Sequence, residues 1–330
     1  MLNPKLLDQG TVVAYFKDRE IFSPESSPLV EILTGGVSNV VLAVSGEGKD
    51  LVLKQALPEL KVASEWIADQ RRAIVEAHAI EVLHKLTPEN VPKLYDVDPD
   101  QFILIIERAP RTMTIWKEDL LSGSIQPDIA AHLGQILGLW HRNTAKDPAI
   151  LQEFQEDSLF EQLRISPFYR TVATKHESIS KRIGALITEL LEDKPCLVHG
   201  DYSPKNILVD GRSKVIVLDF EVAHTGNPVF DLGFLLAHLL CKYEFFQEQD
   251  KKILLAQAAD AFVQAYEKSS ESPVSASLPW HVAAIALARV DGQSPVGYLD
   301  SAAQDRLRRR ALTILQSETP PTITEIFSQA

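Results

Sequence analysis

The sequence predicts an α+β chain of two lobes, a small one built on an antiparallel sheet and a larger, mostly helical one. Two observations carry this. Val- and Leu-dense runs with turn residues between them crowd the stretch up to Glu107, and long helical periodicities take over after Pro110. The change of character puts residues 1–108 in the first lobe and 109–330 in the second.

Taken in order, residues 4–18 read as helical until the prolines and serines of "IFSPESSP" break the pattern. "NVVLAVSG" and "DLVLKQA" follow as two strands separated by "EGK", the signal of a hairpin. A helix is expected over 66–86, where Ala73, Ala77, Ile80 and Leu83 recur on one face. "VPKLYDVD" and "FILIIERA" read as two further strands with "PDQ" between them. Beyond Pro110, helices are expected near 127–143, 177–193, 228–242, 250–268, 279–290 and 302–316. One hairpin interrupts them, "NILV" and "KVIVLDF" turning about Asp210-Gly211.

A length of 330 residues accommodates two lobes, and 45% hydrophobic with 24% charged residues supports a sizeable core. The formal charge of -12 argues against a nucleic-acid partner, whose footprint is a basic stripe. Cys196 and Cys241, both inside apolar stretches, read as small buried hydrophobes of a reducing compartment. The opening residues lack the unbroken apolar run of a signal peptide. The longest apolar run, "VFDLGFLLAHLLC", is interrupted by Asp231 and His238 and is too short for a bilayer. A cytoplasmic chain with no membrane partner is the expectation; oligomeric state has no sequence signature.

The chemistry concentrates in "LVHGDYSPKNILVDGRSKVIVLDFE", Leu197 to Glu221. Magnesium-dependent phosphoryl transfer needs a base near the acceptor hydroxyl and oxygen ligands for the metal on the phosphates. His199-Gly200-Asp201, then four residues, then Asn206 reproduces the H-R-D-x-x-x-x-N spacing of a kinase catalytic loop, with glycine second. Thirteen residues on, Asp219-Phe220-Glu221 stands where kinases carry Asp-Phe-Gly. The intervening hairpin lets the chain leave after Asn206 and return. Asp201 is expected to accept the proton of the attacking hydroxyl and Asn206 and Asp219 to hold Mg2+. Glu221 is expected to add a ligand directly or through water. Polar turn residues beside a hairpin would be of the same types; the whole series at these spacings favours the chemical reading. His199 is expected to be a hydrogen-bonded support of the loop, and no other histidine has metal-ligand spacing.

Such a loop requires an ATP-holding first lobe. Lys54 closes the strand "DLVLK", and Glu76, 22 residues on, lies in the following helix where it can pair with the ammonium; Glu81 is the rival. In "LTGGVSNVV", Gly35 and Gly36 permit unusual backbone angles, and Ser38 and Asn39 follow toward the phosphates. A plain hairpin would use the same residues, and neither G-x-G-x-x-G nor G-x-x-x-x-G-K-[ST] occurs. Backbone groups of Glu107 to Ala109 are expected at the adenine edge. Asp231 either suits the dipole of a helix that Pro228 opens or anchors the catalytic loop by accepting backbone hydrogen bonds.

These residues resemble the aminoglycoside phosphotransferase and choline kinase-like superfamily, small-molecule relatives of protein kinases. "HGDYSPKN", "VIVLDFE" and "GNPVFDLG" are similar to its catalytic loop, its metal-binding motif and the helix behind them. The small lobe is most similar to methylthioribose kinases. There "LVLKQALPELKVASEWIADQRRAIVEAHAI" puts Lys54, Trp66, Arg72 and Glu76 in corresponding places, and "VPKLYDVDPDQFILIIE" continues the likeness. It covers about residues 30–109 and 196–240.

The resemblance implies a protein-kinase-like fold with a nucleotide-binding first lobe and a catalytic, substrate-binding second lobe. It implies an ATP- and Mg2+-dependent kinase of a small hydroxyl compound. The chain departs from methylthioribose kinases at "HGDYSPKN" and "DFEV", where they carry a loop like "HGDLHTGS" and then "DPEF". Of their substrate-facing arginine pair, Arg289 is met and Val290 is not. The alternatives are methylthioribose kinase specifically, or a nucleotide-binding regulatory protein on the same fold. A protein kinase is disfavoured because no A-P-E element follows the metal motif.

Overall fold

The computed structural model describes residues 5–33, 38–59 and 69–328. The chain forms two compact units. One comprises Met1–Arg111 with Asp219–Glu221, the other Thr112–Leu218 with Val222–Ala330.

The first unit is an antiparallel sheet of β1 (Leu29–Ile32), β2 (Asn39–Gly46), β3 (Lys49–Ala56), β4 (Leu94–Asp98) and β5 (Ile103–Glu107), in spatial order β1-β2-β3-β5-β4. Its helices are α1 (Val12–Asp18) and α2 (Arg72–Leu86). Successive strand side chains alternate between faces. Leu42, Val44, Leu51, Leu53, Ile103 and Ile105 therefore bury together against Val12 and Phe16 of α1. The same alternation turns Lys54 away from that core, to the face where it meets Glu76 of α2. In register, Lys54 lies opposite Val41 of β2 and Leu104 of β5.

Three departures from the sequence reading have local causes. The first helix starts only at Val12, because the Asp8 carboxylate gathers the amides of Gly10 and Thr11 and the Thr11 hydroxyl into a turn. β1 was not expected: "LVEI" is a largely exposed edge strand, so it lacks the buried alternation that marks a strand. The helix expected over 66–86 runs from Arg72. Trp66, Gly35 and Gly36 lie outside the described residues.

The second unit opens with β6 (Thr114–Ile115), α3 (Trp116–Ser122) and α4 (Pro127–Thr144). Short helices α5 (Pro148–Glu153), α6 (Ser158–Phe160) and α7 (Thr171–Lys175) follow, with a π-helix at Glu161–Arg170, and then α8 (Ser180–Glu192). β7 (Cys196–Val198) pairs with β10 (His224–Gly226), and β8 (Ile207–Val209) with β6 and β9 (Val215–Val217). The chain ends in α9 (Val229–Phe245), α10 (Gln249–Ser270), α11 (Leu278–Asp291), α12 (Ser301–Gln316) and α13 (Ile323–Ile326).

α9 is buried along almost its whole length, which is why its sequence is apolar on all sides. α4 lies so close to α10 that a Cβ at Gly134 would stand 2.2 Å from the Phe262 carbonyl oxygen. All six long helices expected from periodicity are present; the stretch 148–175 was unread, because short turns and Pro167 inside the π-helix leave no sustained stripe. Among the described residues, no helix is long and apolar enough to cross a membrane.

Candidate active site

In the first unit, Lys54 Nζ donates to both oxygens of Glu76, at 2.6 and 2.7 Å, and to Asp219 Oδ1 at 2.8 Å. Of the two glutamates weighed from the sequence, Glu76 makes this pair; Glu81 is exposed. Arg72 lies fully buried below. Its Nη2 donates to the carbonyls of Ser38 and Leu57, and its Nε stands 3.3 Å from Glu221 Oε2. Asn39 Nδ2 donates to Ser38 Oγ at 3.0 Å and to the same Glu221 oxygen at 3.3 Å. Lys54, Glu76 and Asp219 thus form one group, and Ser38, Asn39, Arg72 and Glu221 a second.

The electrostatics follow from burial. Burial alone would depress the Lys54 ammonium, but the charges of Asp219, Glu76 and Glu221 reverse this and hold it well above the ordinary lysine value. Burial pushes the Glu76 carboxyl up, against the pull of Lys54, and the like charge of Asp219 adds to it. Three carboxylates, Glu76, Asp219 and Glu221, stand here with the cations Lys54 and Arg72. Asp219 adopts a left-handed φ of 71°, a conformation aspartate tolerates better than most residues, and the extended run expected through "VLDF" stops at Val217.

Among the described residues, no group of three or more His, Cys, Asp and Glu side chains is arranged to hold a metal ion. Asp219 and Glu221 nonetheless offer carboxylate oxygens, the donor type of a hard cation. The residues present fit magnesium by the chemistry of their donors.

Glu107 and Ala109 stand at the end of β5 and just beyond it. The Glu107 amide donates to the Lys93 carbonyl at 2.8 Å and the Arg108 amide to the Asp50 carbonyl at 3.0 Å.

In the second unit, the catalytic-loop residues hang on Asp231. Its buried carboxylate accepts from the amides of His199 at 2.7 Å and Gly200 at 2.9 Å, and lies 3.3 Å from His141 Nε2. Burial pushes this carboxyl up. The hydrogen bonds from His141 and from the His199 amide outweigh that and hold it below the usual aspartate range. Gly200 has a φ of 73°, and a Cβ there would lie 2.5 Å from the Val222 carbonyl oxygen, which is why glycine fills the second loop position.

His199 Nδ1 accepts the Asp201 amide at 3.1 Å, so Nε2 carries the hydrogen and donates it to the Leu218 carbonyl at 3.1 Å. The ring braces the loop from both ends. Asn206 Nδ2 donates to Asp201 Oδ2 at 2.9 Å and to the Asp201 carbonyl at 3.0 Å.

Two cations also meet Asp201 Oδ2, Lys205 at 2.9 Å and Arg164 at 3.1 Å. Arg164 further donates through Nε to the Gly200 carbonyl at 2.6 Å. Sequence reasoning missed it, because the π-helix that delivers it has no readable period; the lone signal was an arginine inside an otherwise unassigned stretch. Arg289 is half-buried on α11. Its Nη1 donates to Ser294 Oγ at 3.1 Å and its guanidinium lies over the Phe168 ring at 5.6 Å.

The model of the phosphotransferase enzyme family matches residues 30–272. A methylthioribose kinase of Bacillus cereus strain AH820 is 25% identical over 295 residues, covering 79% of this chain and 74% of the relative. Among solved structures, amicoumacin kinase hAmiN, in complex with AMP-PNP, Ca2+ and Ami, aligns with a TM-score of 0.58 at 19% identity, covering 95% of this chain and 97% of its own. Macrolide 2'-phosphotransferase MphH from Brachybacterium faecium aligns at 0.53 and 18% identity, covering 92% and 98%. These likenesses show a kinase-like fold. The chain belongs to the phosphotransferase enzyme family and is a small-molecule kinase.

Proposed function

We propose that the chain moves the γ-phosphoryl group of ATP to a hydroxyl of a small molecule, with Asp201 as base. The observation that carries this reading is the hold on Lys54, whose ammonium is shared between Glu76 and Asp219. A lysine fixed in this way on a sheet strand is positioned for phosphate oxygens. Glu76 orients it, Ser38 and Asn39 extend the phosphate contacts, and backbone at Glu107 and Ala109 takes the adenine edge.

Asp201 accepts the hydroxyl proton as the acceptor oxygen bonds to the γ-phosphorus. The bond from that phosphorus to the bridging oxygen breaks, ADP leaves with the electron pair, and the proton passes from Asp201 to solvent. Arg164 and Lys205, both on Asp201, hold its carboxylate oriented for that task. Asp219, Glu221 and Asn206 are each proposed as oxygen ligands of magnesium, which when bound neutralises charge on the phosphates. Most of the acceleration comes from positioning and charge.

The test is ADP release with ATP, Mg2+ and a panel of sugars, amino alcohols, hydroxy acids and aminoglycosides. Asp201→Asn is expected to lower kcat by about 10²–10⁴ with nucleotide affinity nearly unchanged. An unaltered kcat with a productive acceptor would remove Asp201 from the chemistry. A second reading, methylthioribose as the acceptor, is favoured by the curated relative and belongs in the same panel.

A further inference from the structure

Around the second unit's catalytic loop the charge is opposite to that of the chain as a whole. Asp201 is already met by two cations, Arg164 and Lys205. Arg289 and Lys242 add two more. Lys242 is fully buried in α9, and among the described residues its ammonium donates to the His238 carbonyl alone, at 3.3 Å, one turn back on its own helix. It lies 5.4 Å from the centre of the Tyr298 ring, and no carboxylate is paired with it among the described residues.

Glu244, the nearest acid in sequence, is taken by Arg306 and Arg310. Among the described residues Arg289 Nε is buried without a hydrogen-bond partner, and the buried Tyr298 hydroxyl faces the Cys241 thiol. Arg164 and Arg289 lie over Phe234 and Phe168, each 5.6 Å from the ring centre, and those two rings are themselves 5.6 Å apart. The two guanidinium groups therefore border one aromatic floor.

Excess positive charge, a buried guanidinium N–H without a partner and a lysine with no paired carboxylate among the described residues make a costly arrangement unless an anion completes it. We propose that the acceptor carries an anionic group, a carboxylate or a phosphate ester, which Arg289 receives while its hydroxyl is presented to Asp201. Lys242 and the Tyr298 hydroxyl support that group from behind. This rests on the reading of Asp201 as the base. It sets the acceptor apart from a cationic amine, which the net charge of -12 would by itself suggest.

Two measurements on the full chain test it. Calorimetric titration with sodium sulfate, phosphate and glycolate, without nucleotide, is expected to show saturable millimolar binding. Arg289→Met should weaken it at least tenfold, Arg289→Lys should restore part of it, and Lys54→Met should leave it. Absent binding, or binding that Lys54→Met removes and Arg289→Met spares, overturns the proposal. ADP release is then read with hydroxy acids, hydroxyalkyl phosphates, the matching hydroxy amides, and methylthioribose as a further neutral arm.

Anionic acceptors should be preferred at least tenfold in kcat/KM, with carboxylate and phosphate arms distinguishing the two sources. Arg289→Met should raise KM for the anionic acceptor tenfold or more with kcat within a few-fold, and Lys242→Met should narrow the acid-over-amide preference. A neutral or cationic acceptor turned over in preference overturns the proposal and leaves the kinase reading standing. Anion binding lost in Arg289→Met, with no acceptor phosphorylated, keeps the subsite and overturns the kinase reading instead.

Discussion

Lys54 and Glu76 form a two-pronged ion pair, 2.6 and 2.7 Å long, with both side chains withdrawn from solvent. The pair joins β3 to α2, so its loss should register in stability as well as in nucleotide binding. Lys54→Met leaves Glu76 buried without its counter-charge, a loss of about 3–5 kcal/mol. Lys54→Met with Glu76→Leu should recover much of that, because the uncompensated charge leaves with its partner. Urea unfolding of the two variants decides it. A double variant no more stable than Lys54→Met would mean that the pair does not bear the cost.

Asp219 supplies the second carboxylate on Lys54, and removing it should separate two roles. Asp219→Asn keeps the shape and removes a negative charge from beside the Lys54 ammonium. Calorimetry with ATP is expected to show wild-type affinity rising with added Mg2+ by at least tenfold and the variant responding less than twofold. An undiminished magnesium response in the variant would take Asp219 out of the ligand set.

Much of this site was legible because its logic is one of spacing. Asp201, Asn206, Asp219 and Glu221 sit at intervals that a hairpin explains, and β8 and β9 are that hairpin. The six long helices were legible because each presents a sustained apolar stripe or run. What stayed hidden depends on contacts distant in sequence or on irregular backbone. Arg164 comes from a π-helix, Asp219 turns left-handed, and Lys242 sits inside an apolar helix where one charged residue reads as a solvated face. Arg72 is similar: fully buried, it ties the Ser38 and Leu57 carbonyls together, a role that no sequence interval shows.

Asp231 holds the loop amides of His199 and Gly200, and its effect on turnover should exceed its effect on nucleotide binding. Asp231→Ala leaves those two buried donors unpaired, costing about 1–3 kcal/mol for each, and lets the Asp201 backbone drift. Turnover should fall at least tenfold while KM for ATP changes less than threefold. Asp231→Asn, retaining one acceptor oxygen, should lie between wild type and alanine in thermal stability. An alanine variant with wild-type melting and turnover would show that the loop holds itself.

Lys242 gives the clearest dependence on pH. Burial pulls its ammonium down to about 7, with Lys117 and Arg289 pushing the same way and Cys241 opposing. His238 and Tyr298 also face it, and the His238 imidazole is itself pushed well below its usual value by burial and by Arg289 and Lys242. A fall from the ordinary lysine value of 10.5 corresponds to a cost of up to about 5 kcal/mol in the folded state. Between pH 7 and 10.5 the unfolded chain holds the proton that the folded chain has released, so stability attributable to this residue rises with pH. Below pH 7 both states are protonated and the full cost is present. Lys242→Met removes it, and the variant should be more stable than wild type by about 1–4 kcal/mol at pH 6.5, a margin that shrinks toward pH 9.5. Burial pushes Cys241 up to about 11, and losing Lys242 pushes it further up, so the folded thiol keeps its proton at pH 9.5 in both chains. Urea unfolding of wild type and variant at the two pH values reads the margin directly, and one that stays constant would mean that Lys242 is not buried as a costly cation.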